Sequence, residues 1–240
     1  MLRYAQLKQN VRKFLALTGL TPKEFKLLLP AFEQAYGRVY PTHQTQTGKP
    51  RQRKAGGGRK GMLDSIEQKL LFALVYQKTY PVQTLLGELF ELSRSRTNDW
   101  IHRLLPILKD SLDNLDVLPE RDPHQFAQHE KRQHSSRNYI IDGTERRRQR
   151  PKDAEKQVLH YSGKKKTHSD KNVVITHTRT KRVGYLSQTY AGKTHDKKVA
   201  DTEPITYPRG SKLHKDTAFQ GYEPRGCRTY QPKKSHGRLN

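Results

Sequence analysis

Two aspartates are placed to do chemistry together. Asp142 follows the apolar run Tyr139-Ile140-Ile141 and precedes Gly143, while Asp216 closes the run SKLHK. Each is thus an acid at the end of a short stretch with β-strand character. An Asp-Gly pair after an apolar strand also has a plain reading, a turn that closes a hairpin. If the two carboxylates meet, they repel, and the pair persists only where a divalent cation neutralises it; Mg2+ (or Mn2+) is the natural ion. Two such ions can activate a water or a 3′ hydroxyl and stabilise the leaving oxygen during in-line attack on a phosphodiester. Arg146, Arg147, Arg148 and Arg150 follow the first acid, and Lys164, Lys165 and Lys166 form a second basic run. A phosphate backbone approaching two acids needs such cations, although a solvated charged loop has the same composition.

The elements around these acids give them a reason to meet. Residues 172–178 and 182–189 alternate in the manner of two β-strands joined by a polar turn, THDKKVADTEP suits a brief helix, and the strand ending in Asp216 comes next. The order strand, strand, strand, helix, strand is that of the first five elements of an RNase H-like domain. In such a sheet the first and fourth strands are neighbours, so acids far apart in the chain arrive at adjacent strand ends.

Upstream, residues 63–118 change to a helical rhythm. One segment ends near TYP, a second spans PVQTLLGELFEL with Pro81 suited to its first turn, and a third runs through SRSRTNDWIHRLLPIL with Ser93 as N-cap. Thr97, Ile101, Leu104, Leu105 and Leu108 line one face of the third. This is the spacing of a helix-turn-helix, which would present Arg94, Arg96, Thr97 and Asn98 to a major groove. A plain three-helix bundle with a charged outer face has the same periodicity, and Trp100 reads as core rather than contact. Nearer the start, Thr21-Pro22-Lys23-Glu24 has the form of a capping box and predicts a short helix with Phe25, Leu28, Leu29 and Phe32 on one face. RQRKAGGGRKG reads as a flexible basic linker, equally a DNA-tracking arm or a solvated loop. His124, His129 and His134 repeat every five residues, a spacing that fits neither one helix face nor a zinc site.

Composition points the same way. Lys and Arg number 47 against 23 Asp and Glu, a formal net charge of +24, which calls for a polyanionic partner, nucleic acid first. No run of about 18 apolar residues serves as a membrane span, and the N-terminus does not read as a signal peptide. Cys227 is alone, which excludes an internal disulfide and a cysteine-rich zinc site and makes a reducing compartment, the cytoplasm, the default expectation. With 32% hydrophobic residues the cores must be small. The expected layout is an N-terminal helical segment (1–50), a basic linker and helix-turn-helix (51–118), a connector (119–137) and an RNase H-like domain (138–240), an α+β protein overall.

The segments IIDGTERRRQRPKD, HYSGKKKTH, YAGKTHDKKVAD and KDTAFQGYEP followed by QPKK resemble the DDE domain of insertion-sequence family five transposases, with Harbinger-type nucleases as relatives. The resemblance covers the chain from about Tyr139 onward, and the helix-turn-helix fits the family's layout. It implies metal-dependent DNA strand cleavage and transfer at element ends, with Asp142 and Asp216 as catalytic acids and metal ligands. Asp196, in the Thr-His-Asp motif, is a weaker third ligand, because a helix-borne Asp is more often a cap or a solvated charge. It also implies double-stranded DNA partners (terminal inverted repeats and target), self-association, and action at the prokaryotic nucleoid. The family's last acid, a helix-borne glutamate, belongs some tens of residues past Asp216. Glu223, in a Gly-Tyr-Glu-Pro turn, does not replace it. The expectation is therefore a chain truncated at its C-terminus, a decayed copy or one part of a split transposase completed by a separate C-terminal piece, and inactive alone. Two alternatives stay open: a noncatalytic DNA-binding regulator of the parent element, and a general nucleic-acid packaging or ribosome-associated protein, which the charge permits but the two acid-bearing strands do not explain.

Overall fold

The computed structural model describes residues 1–44, 48–50, 61–133 and 137–232; nearly all of the basic glycine-containing stretch, and His134, lie outside the described residues. The chain forms two compact units, Met1–Val117 and Leu118–Asn240. All seven phenylalanines are fully buried, five in the first unit and two in the second. Each such ring contributes about 1.5–3 kcal/mol of apolar burial, which is how a chain poor in hydrophobic residues builds two cores.

The first unit is helical: α1 (Tyr4–Leu7), α2 (Val11–Thr18), α3 (Pro22–Val39), α4 (Ile66–Thr79), α5 (Gln83–Phe90) and α6 (Arg94–Asn114). The capping box at Thr21 and Glu24 forms as the sequence predicts. The helix it starts is long rather than short. It continues through Pro30 because Phe25, Leu28, Phe32 and Ala35 stay buried, mostly against α6, and this packing outweighs the one backbone bond that proline removes. The N-terminal helices share a single core with α4, α5 and α6. Buried Gln68 ties them together, accepting from the Tyr4 amide and donating to the Leu2 carbonyl.

The second unit holds α7 (Phe126–Gln133), β1 (Asn138–Arg147), α8 (Ala154–His160), β2 (Tyr161–Ser162), β3 (Thr167–His177), β4 (Val183–Leu186), β5 (Tyr190–Ala191), α9 (Asp196–Thr202), β6 (Ser211–Lys215) and β7 (Cys227–Tyr230). The stretch expected as a connector contains α7, whose Phe126 packs edge-on against Tyr139 and Tyr207 in the core. Residues 142–143 make no turn, for β1 runs on through them to Arg147, paired antiparallel with β3 along its length. β6 lies on the other side of β1, parallel to it, and β7 is parallel to β6. The outer edge of β3 carries β2, β5 and β4. The main order, β4-β3-β1-β6-β7, is the RNase H-like arrangement that the element order predicts. Side chains alternate across the sheet: Tyr139, Ile141, Val173, Ile175 and Leu213 are buried in the core, whereas Ile140, Lys212 and His214 are exposed on the other face.

Candidate active site and nucleic-acid interface

Register decides whether the two aspartates meet. Ile141 on β1 pairs with Lys215 on β6, so Asp142 and Asp216 occupy the next position along two adjacent parallel strands. Alternation also puts them on one face. Asp142 has the parity of Asn138 and Ile140, and Asp216 that of Lys212 and His214. Both are exposed, and both line an open depression of about 1040 Å³ with Asn138, Lys212, His214 and Tyr230. Each accepts one local backbone hydrogen bond on Oδ1: Asp142 from the Gly143 amide at 2.8 Å, Asp216 from the Ala218 amide at 2.9 Å. The second bond makes Asp216 the N-cap of a 3-10 turn, Thr217–Phe219. Among the described residues neither acid is in a salt bridge, so each keeps an oxygen for a cation. Two hard, exposed carboxylate donors on one face suit Mg2+ or Mn2+. Among the described residues no cluster of three or more metal-binding side chains forms.

The neighbourhood of Asp216 is pinned. Lys215 points to the buried face, where its ammonium donates to the Tyr222 carbonyl at 2.7 Å and to Glu223 Oε1 at 2.6 Å. These bonds, from Lys215 first and Thr229 second, hold the Glu223 carboxyl below the usual glutamate range. Gln231 donates to the Asp216 carbonyl at 2.9 Å.

Asp196 is elsewhere. It stands at the start of α9 beneath the other face of the sheet, against the Cα of Gly143, and its Oδ1 lies 2.8 Å from the Lys171 ammonium. The sequence proposed it as a weaker metal ligand; the structure does not bring it to the face that carries Asp142 and Asp216. Alternation explains this, since Gly143 faces away from its neighbour Asp142. Glu145 completes the cluster, 3.3 Å from Lys171. Burial acts to raise its carboxyl, but hydrogen bonds from Ser162 and Ser169 and the Lys171 charge outweigh burial and hold it below the ordinary value.

The basic runs are near the sheet but do not line the depression. Arg146 shares the parity of Asp142 and is exposed, as is Arg147 on the other side. Arg148 is engaged with Asp170 at 2.8 Å, and Arg150 donates two hydrogen bonds to Gln157. Lys164, Lys165 and Lys166 are exposed between β2 and β3. Missed from the sequence were Lys212, His214 and Tyr230, the last stacked on His214 with ring centres 5.2 Å apart. The signal existed: Lys212, His214 and Asp216 alternate with Ser211, Leu213 and Lys215, so the strand that carries the acid brings a basic and an aromatic neighbour to the same face.

In the first unit Ser93 caps α6, accepting from the Arg96 amide, and α5 meets α6 through a tight turn at Glu91, which has a left-handed backbone. Gly87 permits the approach: a Cβ there would lie 2.6 Å from the Leu92 carbonyl oxygen and 3.0 Å from Thr97 Oγ1. Pro81 precedes α5 by two residues instead of lying in its first turn. Arg94 and Arg96 are exposed at the start of α6, and Asn98, half-buried, accepts from the Gln83 side chain. Thr97 does not face outward. It is fully buried and donates its hydroxyl proton to the Ser93 carbonyl, because it falls on the stripe that Ile101 and Leu104 continue. Trp100 packs partly buried against the core, with Lys69 and Arg103 near its ring.

Together these features define a nuclease-type sheet with an acidic pair on adjacent parallel strands, in a chain whose other unit carries a helix-turn-helix. Residues 141–239 match the family model of the DDE superfamily endonuclease, and residues 62–114 match the helix-turn-helix of DDE superfamily endonuclease. Each segment is thus similar to the corresponding part of a DDE superfamily endonuclease. No curated protein and no solved structure gives a match.

Proposed function

We propose that the protein is the transposase of a DNA insertion sequence, acting on double-stranded DNA at the element's inverted ends and at its target. The observation that carries the reading is the common face and adjacent register of Asp142 and Asp216. Endonucleases of this superfamily use divalent metal ions, and here Asp142 and Asp216 would hold Mg2+ or Mn2+. When bound, the metal supplies an activated hydroxyl and charge stabilisation at the phosphorus. The chain's own residues do the rest. Lys212 and His214 sit on the carboxylates' face, where Lys212 compensates phosphate charge, and the His214–Tyr230 stack offers a ring surface to a sugar or base. Arg94, Arg96 and Asn98 contact DNA at the head of α6, with the cations at 146–148, 150 and 164–166 as backbone contacts.

Two carboxylates make a weak site for divalent ions, and among the described residues no third joins them. The chain alone is therefore expected to bind DNA and to cleave it poorly, which also favours a second reading, a noncatalytic DNA-binding regulator of the parent element. One assay separates them. A supercoiled plasmid carrying the element's ends is incubated with the chain and Mn2+, beside Asp142→Asn and Asp216→Asn. Metal-dependent nicking lost in both variants supports the transposase; nicking that persists in them removes Asp142 and Asp216 from the chemistry, and DNA binding with no nicking at any Mn2+ concentration supports the regulator.

A further inference from the structure

Gly143 is not a glycine for backbone reasons, since its φ lies outside the left-handed region. Space demands it. A Cβ on residue 143 would lie 2.6 Å from Asp196 Cγ, 2.6 Å from Oδ1 and 2.9 Å from Oδ2, so the carboxylate of Asp196 rests on the place where a side chain would begin. What holds it there is Lys171. That residue is the cross-strand partner of Glu145 in the β1–β3 register, and its ammonium reaches Asp196 Oδ1 at 2.8 Å, Glu145 Oε1 at 3.3 Å and the Thr194 carbonyl at 2.8 Å. Asp196 Oδ1 makes a charge contact outside hydrogen-bond geometry, and the three side chains are between 8% and 17% exposed. Two nearly buried carboxylates on one ammonium are costly to assemble. Their effect is mechanical: the start of α9 is clamped onto β1 at the residue after Asp142.

We propose that Asp196 is a positioning residue. Seated by Lys171 on the bare Cα of Gly143, it fixes the height of β1 at Asp142, so that the Asp142 carboxylate stands beside that of Asp216; it gives no oxygen to the metal. The proposal rests on the assignment of Asp142 and Asp216 as metal ligands. On this reading Gly143 and Asp196, which are remote in the chain, constrain one another's residue type.

The test combines two measurements on the full chain: thermal melting without metal, and Mn2+ binding followed by the electron paramagnetic resonance signal of free Mn2+. Gly143→Ala is expected to lower the melting temperature and to weaken Mn2+ binding about tenfold, the usual scale for residues that orient a ligand. Adding Asp196→Ala to Gly143→Ala should restore part of both, because the removed carboxylate makes room for the new methyl. A metal ligand cannot behave so. If the double variant binds Mn2+ more weakly than Gly143→Ala, or if the two melting effects simply add, the proposal is overturned. Asp196→Asn keeps the shape but loses the charge that Lys171 holds, so it should lower Mn2+ affinity no more than Gly143→Ala does, and it decides the matter if Asp196→Ala does not fold: a loss of affinity as large as that of Asp142→Asn would make Asp196 a ligand. Should Asp142→Asn leave Mn2+ binding intact, or should the parent chain bind none, the ligand assignment fails instead, and the melting cycle still reports whether Asp196 is seated on Gly143.

Discussion

Asp142 and Asp216 each use one oxygen on a neighbouring amide and leave the other towards solvent. Without a cation they repel one another, so charge removal relieves the fold while removing the site. Asp142→Asn and Asp216→Asn are therefore expected to melt no lower than the parent chain in EDTA, and to lack the rise in melting temperature expected of the parent on adding Mn2+. A fall of several degrees in EDTA would mean that the acids serve the fold. Buried tyrosines give the second unit a pH limit. Burial first, and the Glu203 carboxylate second, push Tyr190 up to about 12 and Tyr185 higher, and burial raises Tyr222 to about 12. A raised phenol is neutral in the fold while its unfolded counterpart ionises near 10. The stability it contributes is thus complete below about pH 10 and is lost as pH rises from there towards 12. Tyrosinate absorbance from these residues should appear together with unfolding above pH 10; a gradual titration of folded protein near 10 would contradict their burial.

Among the elements, the α5–α6 corner depends on Gly87. Alanine ordinarily favours a helix interior over glycine by about 1 kcal/mol. Here the new methyl would strike the backbone carbonyl of Leu92 and the buried Thr97 hydroxyl. Overpacking of this kind costs about 1–3 kcal/mol, so Gly87→Ala should destabilise the first unit, and it should weaken DNA binding by tilting α6 away from the turn. A rise in melting temperature would show that the two helices are further apart than described. On the sheet, the elements the sequence missed are α7, α8, β2, β5 and β7, all short or polar. Their periodicity is too brief to read, and Phe126 is the one deeply apolar residue in a charged stretch, buried because tertiary packing selects it.

At the scale of the whole molecule, +24 charges commit the protein to a polyanion. If Arg94, Arg96 and several of the cations at 146–150 and 164–166 contact phosphate, log K should fall linearly with log salt, with a slope of about 0.9 for each phosphate neutralised. Replacing Lys164, Lys165 and Lys166 by alanine should reduce that slope by as much as about 3, with no change in sequence preference. A slope near zero in the parent chain would leave the excess charge without a role in DNA binding.

Much was legible in the residues. The caps at Thr21 and Ser93, the helical stripe from Thr97 to Leu108, the strands carrying Asp142 and Asp216 and the element order all follow from local periodicity and capping chemistry, which neighbours in the chain determine. What local pattern cannot contain is which faces meet. Thr97 counted at once as stripe and as groove contact until packing buried it, and Asp196 looked like a partner for Asp142 until strand alternation put a sheet between them. The register of β1 on β6 set Asp142 beside Asp216, because hydrogen bonds between strands remote in the chain are fixed only when the whole sheet closes.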